Sequence, residues 1–410
     1  MRILKITLGA ILTVYCSAGV LSETFKPNDI QVNNMLCHFL LCNNAPLVWR
    51  ARDLRAAGGR EDLDQAIGMF RKALQQDPQD PYRWADIGDA FLEAGDEQDA
   101  RYSYNQVLSL APHSAYFRLR TANFHFQIDE EQEALTITAQ ILKVTPEYDS
   151  LIFTDYITVA DNSDNVLRFG IPDDRRAARA WLDSLMQAGR VDDVQRTWDW
   201  VAGHGYADDA VAGRYAEFLI RQGRPDSAAS AWTSYLGARA PDYGKSAYLF
   251  NGGFESEPIE SPFDWKLVQT EGAEVARDCT TAWSGQCSLR IAFAGTQNLD
   301  FSAASQFAVV RQGRYRFQAF VRTEGLTTDQ GIRFRISDVD APARLDVKFG
   351  QFTGSRPWSA VESDLTIGPE TRLLQIQVIR SPSLKFDNKI GGTAWIDDLS
   401  LERVLDNTPR

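Results

Sequence analysis

Histidine is scarce in this sequence: His38, His113, His125 and His204 are the four in 410 residues. They are scattered without the short spacing that lets imidazoles share a metal, which argues against a histidine metal centre. No nucleophile stands beside a base in either half, so no catalytic constellation is legible and the chain reads as non-catalytic. Basic residues are also in deficit, 43 Lys and Arg against 55 Asp and Glu for a net charge of -12. That balance supplies no basic face for nucleic acid. Long apolar runs are confined to one place, Ile6 to Leu21, which is short for a membrane span of roughly 20 residues. The remaining composition, 44% hydrophobic and 24% charged, is that of folded domains, and the length allows two or three.

The apolar run follows Arg2 and Lys5 and ends in the small residues Cys16, Ser17 and Ala18. A basic start, a short apolar centre and a small-residue exit describe a secretory signal, with cleavage after Ala18 or Ser22. An uncleaved anchor over the same residues 1–22 is the alternative, and it would be the chain's one attachment to a membrane. Four cysteines remain after Cys16, in the close pairs Cys37/Cys42 and Cys279/Cys287. Even-numbered, short-range pairs suit disulfides in an oxidising compartment. For Cys279 and Cys287 the intervening Ser284-Gly285 turn places the two sulfurs on facing strands. The spacing of Cys37 and Cys42, within residues 23–44, is equally compatible with a helix. Export to the periplasm or cell envelope is the expectation.

A fixed period governs the first half. Pro78, Pro112 and Pro146 are 34 residues apart, as are Ala66, Ala100 and Ala134. The unit PYRWADIGDAFLEAGDEQDARYSYNQVLSLAP carries Trp84, Gly88, Phe91, Ala100 and Tyr104 in this register. It resembles the tetratricopeptide repeat at nearly every diagnostic position. Gly88 and Ala100 are small where two helices cross, aromatic residues fill the space between stacked pairs, and the proline ends the second helix because it lacks an N–H donor. A unit of this kind cannot bury its apolar face alone, so units stack into a solenoid. The expected units lie near 47–80, 81–114 and 115–148, then 175–208 and 209–242 after a spacer at 149–174, within a solenoid spanning 45–245. Such arrays hold a protein partner in a concave groove. Asp86, Asp89, Glu93 and Asp96 read most simply as a solvated face.

After Tyr243-Gly244 the period changes to two. CSLRIAF, RYRFQAFVRT, GIRFRIS, RLLQIQVIR and TAWIDDLSLERV alternate apolar with polar residues and are separated by turn signals, the pattern of half-buried strands in a sandwich. NGGFE, expected to open the first strand at Phe254-Glu255, together with SGQCSLRIAF, GRYRFQAFVRTEG and TAWIDDLSL, resembles the jelly-roll carbohydrate-binding modules over residues 247–405. The fold class expected is thus multi-domain, an all-α tetratricopeptide-repeat solenoid followed by an all-β jelly-roll sandwich. The whole chain resembles proteins of this build encoded beside bacterial exopolysaccharide genes, which implies an accessory role in polysaccharide assembly or export.

Polysaccharide binding by such a module needs exposed aromatic rings flanked by hydrogen-bonding groups. The candidates are Phe263, Trp265, Trp283 and Trp358, with Phe352 and Phe386, and the polar Lys385, Asn388 and Lys389. Each aromatic is otherwise a core residue. The resemblance also implies a structural calcium between the first and last strands, at Glu255 and one of Asp397 and Asp398, with Asp397 favoured; a carboxylate salt-bridged to arginine is the competing account. Two adjacent carboxylates on one strand cannot face each other as the acid–base pair of a glycosidase.

Overall fold

The computed structural model describes residues 45–159, 163–240, 243–244, 247–259 and 261–404. The expected signal or anchor and the pair Cys37/Cys42 lie outside the described residues. Two compact units divide at Ser184/Leu185.

The first unit is built of helix pairs. They are α1 (Ala45–Ala57) with α2 (Arg60–Gln76), α3 (Pro81–Glu93) with α4 (Glu97–Leu110), and α5 (Ala115–Gln127) with α6 (Glu131–Val144). Each 34-spaced proline stands two residues beyond the end of α2, α4 or α6, as the missing N–H requires. Asp80 and Asp96 start α3 and α4, their carboxylates accepting from the backbone N–H groups of Tyr82 and Asp99 at 2.8 and 3.2 Å, the capping role that short acidic side chains fill. Gly88 is required by packing: a Cβ there would stand 3.0 Å from the Tyr104 ring and 3.3 Å from Ser103. Trp84 and Pro78 also share a bond, the indole N–H donating to the Pro78 carbonyl at 2.8 Å. Ala66, Phe70, Ala85, Ala100 and Val107 are fully buried between the pairs.

Residues 149–174 hold a full helix, α7 (Asp149–Val159), and a π-helical turn at Val166–Gly170. The turn packs on the third pair, since a Cβ on Gly170 would meet Leu135 and Tyr156 at 3.0 Å, and the Tyr156 hydroxyl donates to the Gly170 carbonyl at 3.1 Å. The helical pattern resumes in α8 (Arg175–Ala188).

The second unit contains α9 (Val191–Gly203), α10 (Asp209–Arg221), α11 (Pro225–Leu236) and ten strands. The strands are β1 (Lys266–Leu267), β2 (Ala273–Asp278), β3 (Ser288–Ala294), β4 (Phe301–Val309), β5 (Gly313–Leu326), β6 (Ile332–Asp338), β7 (Asp346–Phe352), β8 (Gly354–Ile367), β9 (Leu373–Arg380) and β10 (Gly391–Val404). They form two antiparallel sheets, β1-β4-β9-β6-β7 and β2-β3-β10-β5-β8. Alternation puts Tyr315, Phe317, Ala319 and Val321 of β5 inward against Phe334, Ile376 and Val378 of the facing sheet, the interdigitated core of a sandwich. Pro357 is accommodated because β8 is an edge strand, where a lost N–H disturbs only one ladder.

Phe254 and Glu255 do not open a strand. Residues 250–259 and 261–265 are turns and irregular backbone, and the first strand begins at Lys266. The reason is Asn251-Gly252-Gly253: the Gly252 carbonyl accepts from Leu399 N at 3.0 Å, and a Cβ on Gly252 would fall 1.9 Å from the Leu399 carbonyl oxygen. Only glycine lets this segment cross the β10 backbone so closely. Asn251 and Phe254 both take positive φ, 52° and 54°, so the chain turns there instead of extending.

Candidate functional site

Phe263 and Trp265 are wholly buried, which removes both from the candidate sugar platform. Trp265 lies 5.4 Å from the Phe254 ring and donates its indole N–H to the Asn251 carbonyl at 3.0 Å. They anchor the irregular backbone of 250–259 and 261–265 to the core, a task that needs their bulk on the inside. Phe352 is buried as well.

Trp283 and Trp358 are brought together. Trp283 is 47% exposed and stacks on Phe320 with ring centroids 4.4 Å apart and planes at 13°; Trp358 lies 6.4 Å from it. One face of Trp283 is covered by Phe320. Phe320 belongs to the outward positions of β5, with Arg316, Gln318, Arg322 and Glu324. On β10, Trp395 is paired in register with Arg322 of β5 and Arg290 of β3. The Arg322 guanidinium sits over the Trp395 ring at 5.1 Å, and the indole donates to Asp278 at 2.9 Å. Ile396 is fully buried, so of the two neighbours it is Trp395 that faces outward. The outer face of β2-β3-β10-β5-β8 thus carries four aromatic rings among guanidinium and carboxylate groups. Phe320 escaped sequence reasoning because it sits within an alternating strand, where an aromatic residue is equally at home inside; for Trp395 and Ile396 the alternation requires that one face out of the core without saying which.

Lys385 and Asn388 do not join this face. They sit in the loop before β10, where Lys385 pairs with Asp329 at 3.5 Å and the Asn388 carbonyl accepts from Arg380 at 3.0 Å. Six residues of β10, roughly 20 Å of strand, separate Gly391 at that end from Asp397 beside Trp283. Phe386 is fully exposed in the same loop, and Lys389 is exposed there too.

The loop bearing Trp283 is fastened at both ends. The disulfide Cys279–Cys287, with Cα atoms 4.0 Å apart, closes it just past the last β2–β3 pair, Asp278 and Ser288. Asp397 Oδ2 accepts from the backbone N–H groups of Trp283 and Ser284 at 2.7 and 3.0 Å. Glu255 Oε1 accepts from those of Gln286 and Cys287 at 2.8 and 3.2 Å. Burial pushes the Asp397 carboxyl above the usual carboxylate range, against the pull of those N–H groups.

Glu255 and Asp397 converge on Gly253, where a Cβ would lie 3.7 Å from Asp397 Oδ1 and 4.0 Å from Glu255 Oε1. Among the described residues both carboxylates are held by backbone N–H groups, and Arg277 reaches only the Glu255 backbone carbonyl, at 2.7 Å, so a salt bridge to arginine is not what holds them. Asp398 has positive φ, 50°, at the β10 bulge and is exposed. Two carboxylates held by backbone N–H groups and by no cation, beside a glycine, are hard-oxygen donors of the kind calcium takes. No third His, Cys, Asp or Glu joins them among the described residues, so backbone carbonyls or water would have to complete the shell.

In the helical unit, a groove of about 820 Å³ is lined by Arg52, Arg55, Asp86, Asp89, Glu93 and Arg120. Arg52, Asp86 and Arg120 occupy the same place in successive units, 34 residues apart. Asp86 accepts from Arg52 at 2.6 Å and from Arg120 at 2.9 Å, and Arg120 also reaches Asp89 at 2.5 Å. Asp89 takes Arg55 at 3.2 Å and the Tyr104 hydroxyl. Asp86 is 4% exposed, so the solvated-face expectation is corrected there: the carboxylates bridge three units through shared arginines. Burial works to lower the Arg120 guanidinium, but Asp89 and Asp86 together hold it above its ordinary value.

The tetratricopeptide repeat family model matches residues 86–114. Curated proteins give no match. Among solved structures the chain is similar to TmCBM61 in complex with β-1,4-galactotriose, at 22% identity over 38% of this chain and 99% of that one, with a TM-score of 0.29. It is similar to the CBM22-1 xylan-binding domain from Paenibacillus barcinonensis Xyn10C at 12% identity, over 37% and 92% of the two chains and a TM-score of 0.26. A third likeness is to a sugar-binding protein, so described provisionally, from Bacteroides thetaiotaomicron, at 11% identity over 38% and 100%, with a TM-score of 0.29. The chain is a multi-domain protein, an all-α tetratricopeptide-repeat solenoid followed by an all-β jelly-roll sandwich.

Proposed function

We propose that this chain is a non-catalytic, exported adaptor that joins a protein partner in its helical groove to a polysaccharide on the outer face of β2-β3-β10-β5-β8. The observation that carries the reading is the Trp283–Phe320–Trp358 cluster, half open to solvent on a sheet face otherwise set with charged groups. Pyranose C–H faces stack on such rings, while Arg322, Glu324 and Asp278 are of the type that exchanges hydrogen bonds with sugar hydroxyls. The finer role, an accessory protein of exopolysaccharide assembly or export in the periplasm or envelope, rests on the combination of this face with a partner-binding solenoid. A calcium ion belongs to the same reading. Glu255 and Asp397 would hold it, and the ion would offset the charge that gathers beneath the Trp283 loop.

Binding of polysaccharides to the full chain, compared with Trp283→Ala and Trp358→Ala, tests the glycan half. The reading requires both variants to weaken binding while the fold, followed by circular dichroism, stays intact. Capture from envelope extract by the wild type, lost in Arg120→Ala, tests the partner half. Calcium should raise the Tm, and Asp397→Asn should abolish that rise.

A further inference from the structure

The second unit holds a cleft distinct from the sheet face. It lies where α11 packs against the sandwich, and its volume is about 400 Å³, within the roughly 300–1,000 Å³ of small-molecule sites. Two kinds of group line it. Ser230, Thr233 and Ser234 present hydroxyls from one side of α11, with Tyr248 opposite; Arg311 and Arg403 enter from the sandwich. Asp226 is the one carboxylate in the lining, and it is already engaged by Arg372, with Arg311 farther off at 3.9 Å. Arg403 donates to the Gln312 carbonyl at 3.1 Å and has no carboxylate within ion-pair distance among the described residues. Two guanidinium groups, Arg311 and Arg403, therefore line the cleft with a single carboxylate, Asp226, which Arg372 already engages.

We propose that this cleft binds an anionic saccharide, a sugar carrying a carboxylate of the uronate kind. A guanidinium is a donor-only fork that matches a planar carboxylate. Hydroxyl side chains both donate and accept, which is what sugar hydroxyls need and a bare anion does not. The Thr233 hydroxyl donates to the Ala229 carbonyl at 2.8 Å and so offers its lone pairs to the cleft. The space is also far larger than one phosphate would fill. This site goes beyond the sheet-face reading and does not depend on it.

The test is calorimetric titration of the full chain with digalacturonate, digalactose, inorganic phosphate and triglutamate. Digalacturonate should bind, and digalactose about tenfold or more weaker, since one charge-assisted contact corresponds to roughly that factor. Arg403→Gln and Arg311→Gln should each weaken digalacturonate by about the same factor. Arg311 has a side chain 77% exposed, so its variant keeps the test valid even if Arg403→Gln fails to fold. Asp226→Asn should tighten binding by removing the repelling carboxylate. Trp283→Ala should leave it unchanged, which separates this site from the sheet face. Equal binding of digalactose, retention of affinity in both arginine variants, or loss in Trp283→Ala would overturn the proposal. So would phosphate or triglutamate binding as tightly as the uronate.

Discussion

Asp397 of β10 holds the backbone of Trp283 across 114 positions of sequence, one carboxylate oxygen accepting from both Trp283 N and Ser284 N. The exposed ring thereby stands on a buried charge. Its orientation depends on two hydrogen bonds that the aromatic side chain does not itself make.

Replacing Asp397 by Ala should remove this support and leave three N–H groups, those of Trp283, Ser284 and Asp398, without their acceptor. Hydrogen bonds to a charged group contribute about 1.5–3 kcal/mol each, and part of that is offset because the buried charge also disappears. A net loss on the order of 3 kcal/mol is expected by urea unfolding, with a red shift of Trp283 emission. An unchanged spectrum would mean that the loop keeps its place without Asp397.

Reduction of Cys279–Cys287 should act on the same loop. A cross-link around so short a loop contributes about 2.5 kcal/mol through the unfolded state. Cys279→Ala/Cys287→Ser is expected to lower the Tm and raise hydrogen exchange at Trp283 and Ser284. The helical pairs of the first unit should keep their protection.

Asp264 gives a pH signature. Its carboxylate is fully buried and accepts from Ile259 N and Trp265 N at 2.8 and 2.7 Å, yet burial outweighs those bonds and pushes it up to about 6. The folded state therefore holds a proton that the unfolded chain releases near pH 4. Stability should fall as pH rises from about 4 to about 6, by something on the order of 3 kcal/mol or less, and stay lower above that window. Asp264→Asn should remove most of this slope in urea titrations across the same pH values. A slope of the same size in the variant would assign it to another group.

Gly88 tests the helix crossing. Alanine would add helix propensity of about 0.5–1 kcal/mol but press its Cβ on Tyr104 at 3.0 Å. Valine has no such gain and adds two more methyl groups to the same contact. Gly88→Val should destabilise the first unit by about 2 kcal/mol or more, and Gly88→Ala by clearly less, read from its unfolding midpoint.

The repeat half was legible because its determinants are local and periodic. Proline stops a helix wherever it stands, and a small residue at a crossing leaves a gap in the pattern at Gly88 that survives in any single sequence. The strands of β3, β5, β6, β9 and β10 were legible for a similar reason, since alternation is a property of consecutive residues. The site was less so. Phe263 and Trp265 look no different in sequence from Trp283, yet the backbone turn at Asn251–Phe254 drives the first two inward while a disulfide and two carboxylates lift the third out.

The same division runs through the charges. Asp86 has an ordinary solvated pattern along its own helix, and only the stacking of units places Arg52 and Arg120 on either side of it. The sequence by itself determined the period, the helical and alternating halves and the pairing of Cys279 with Cys287, all of which follow from near neighbours and intrinsic backbone preference. Tertiary structure alone decided which aromatic rings face water, that Glu255 and Asp397 meet beneath one loop, and that arginines crowd the cleft beside α11. Those outcomes depend on segments far apart in the chain being pressed together by a shared core.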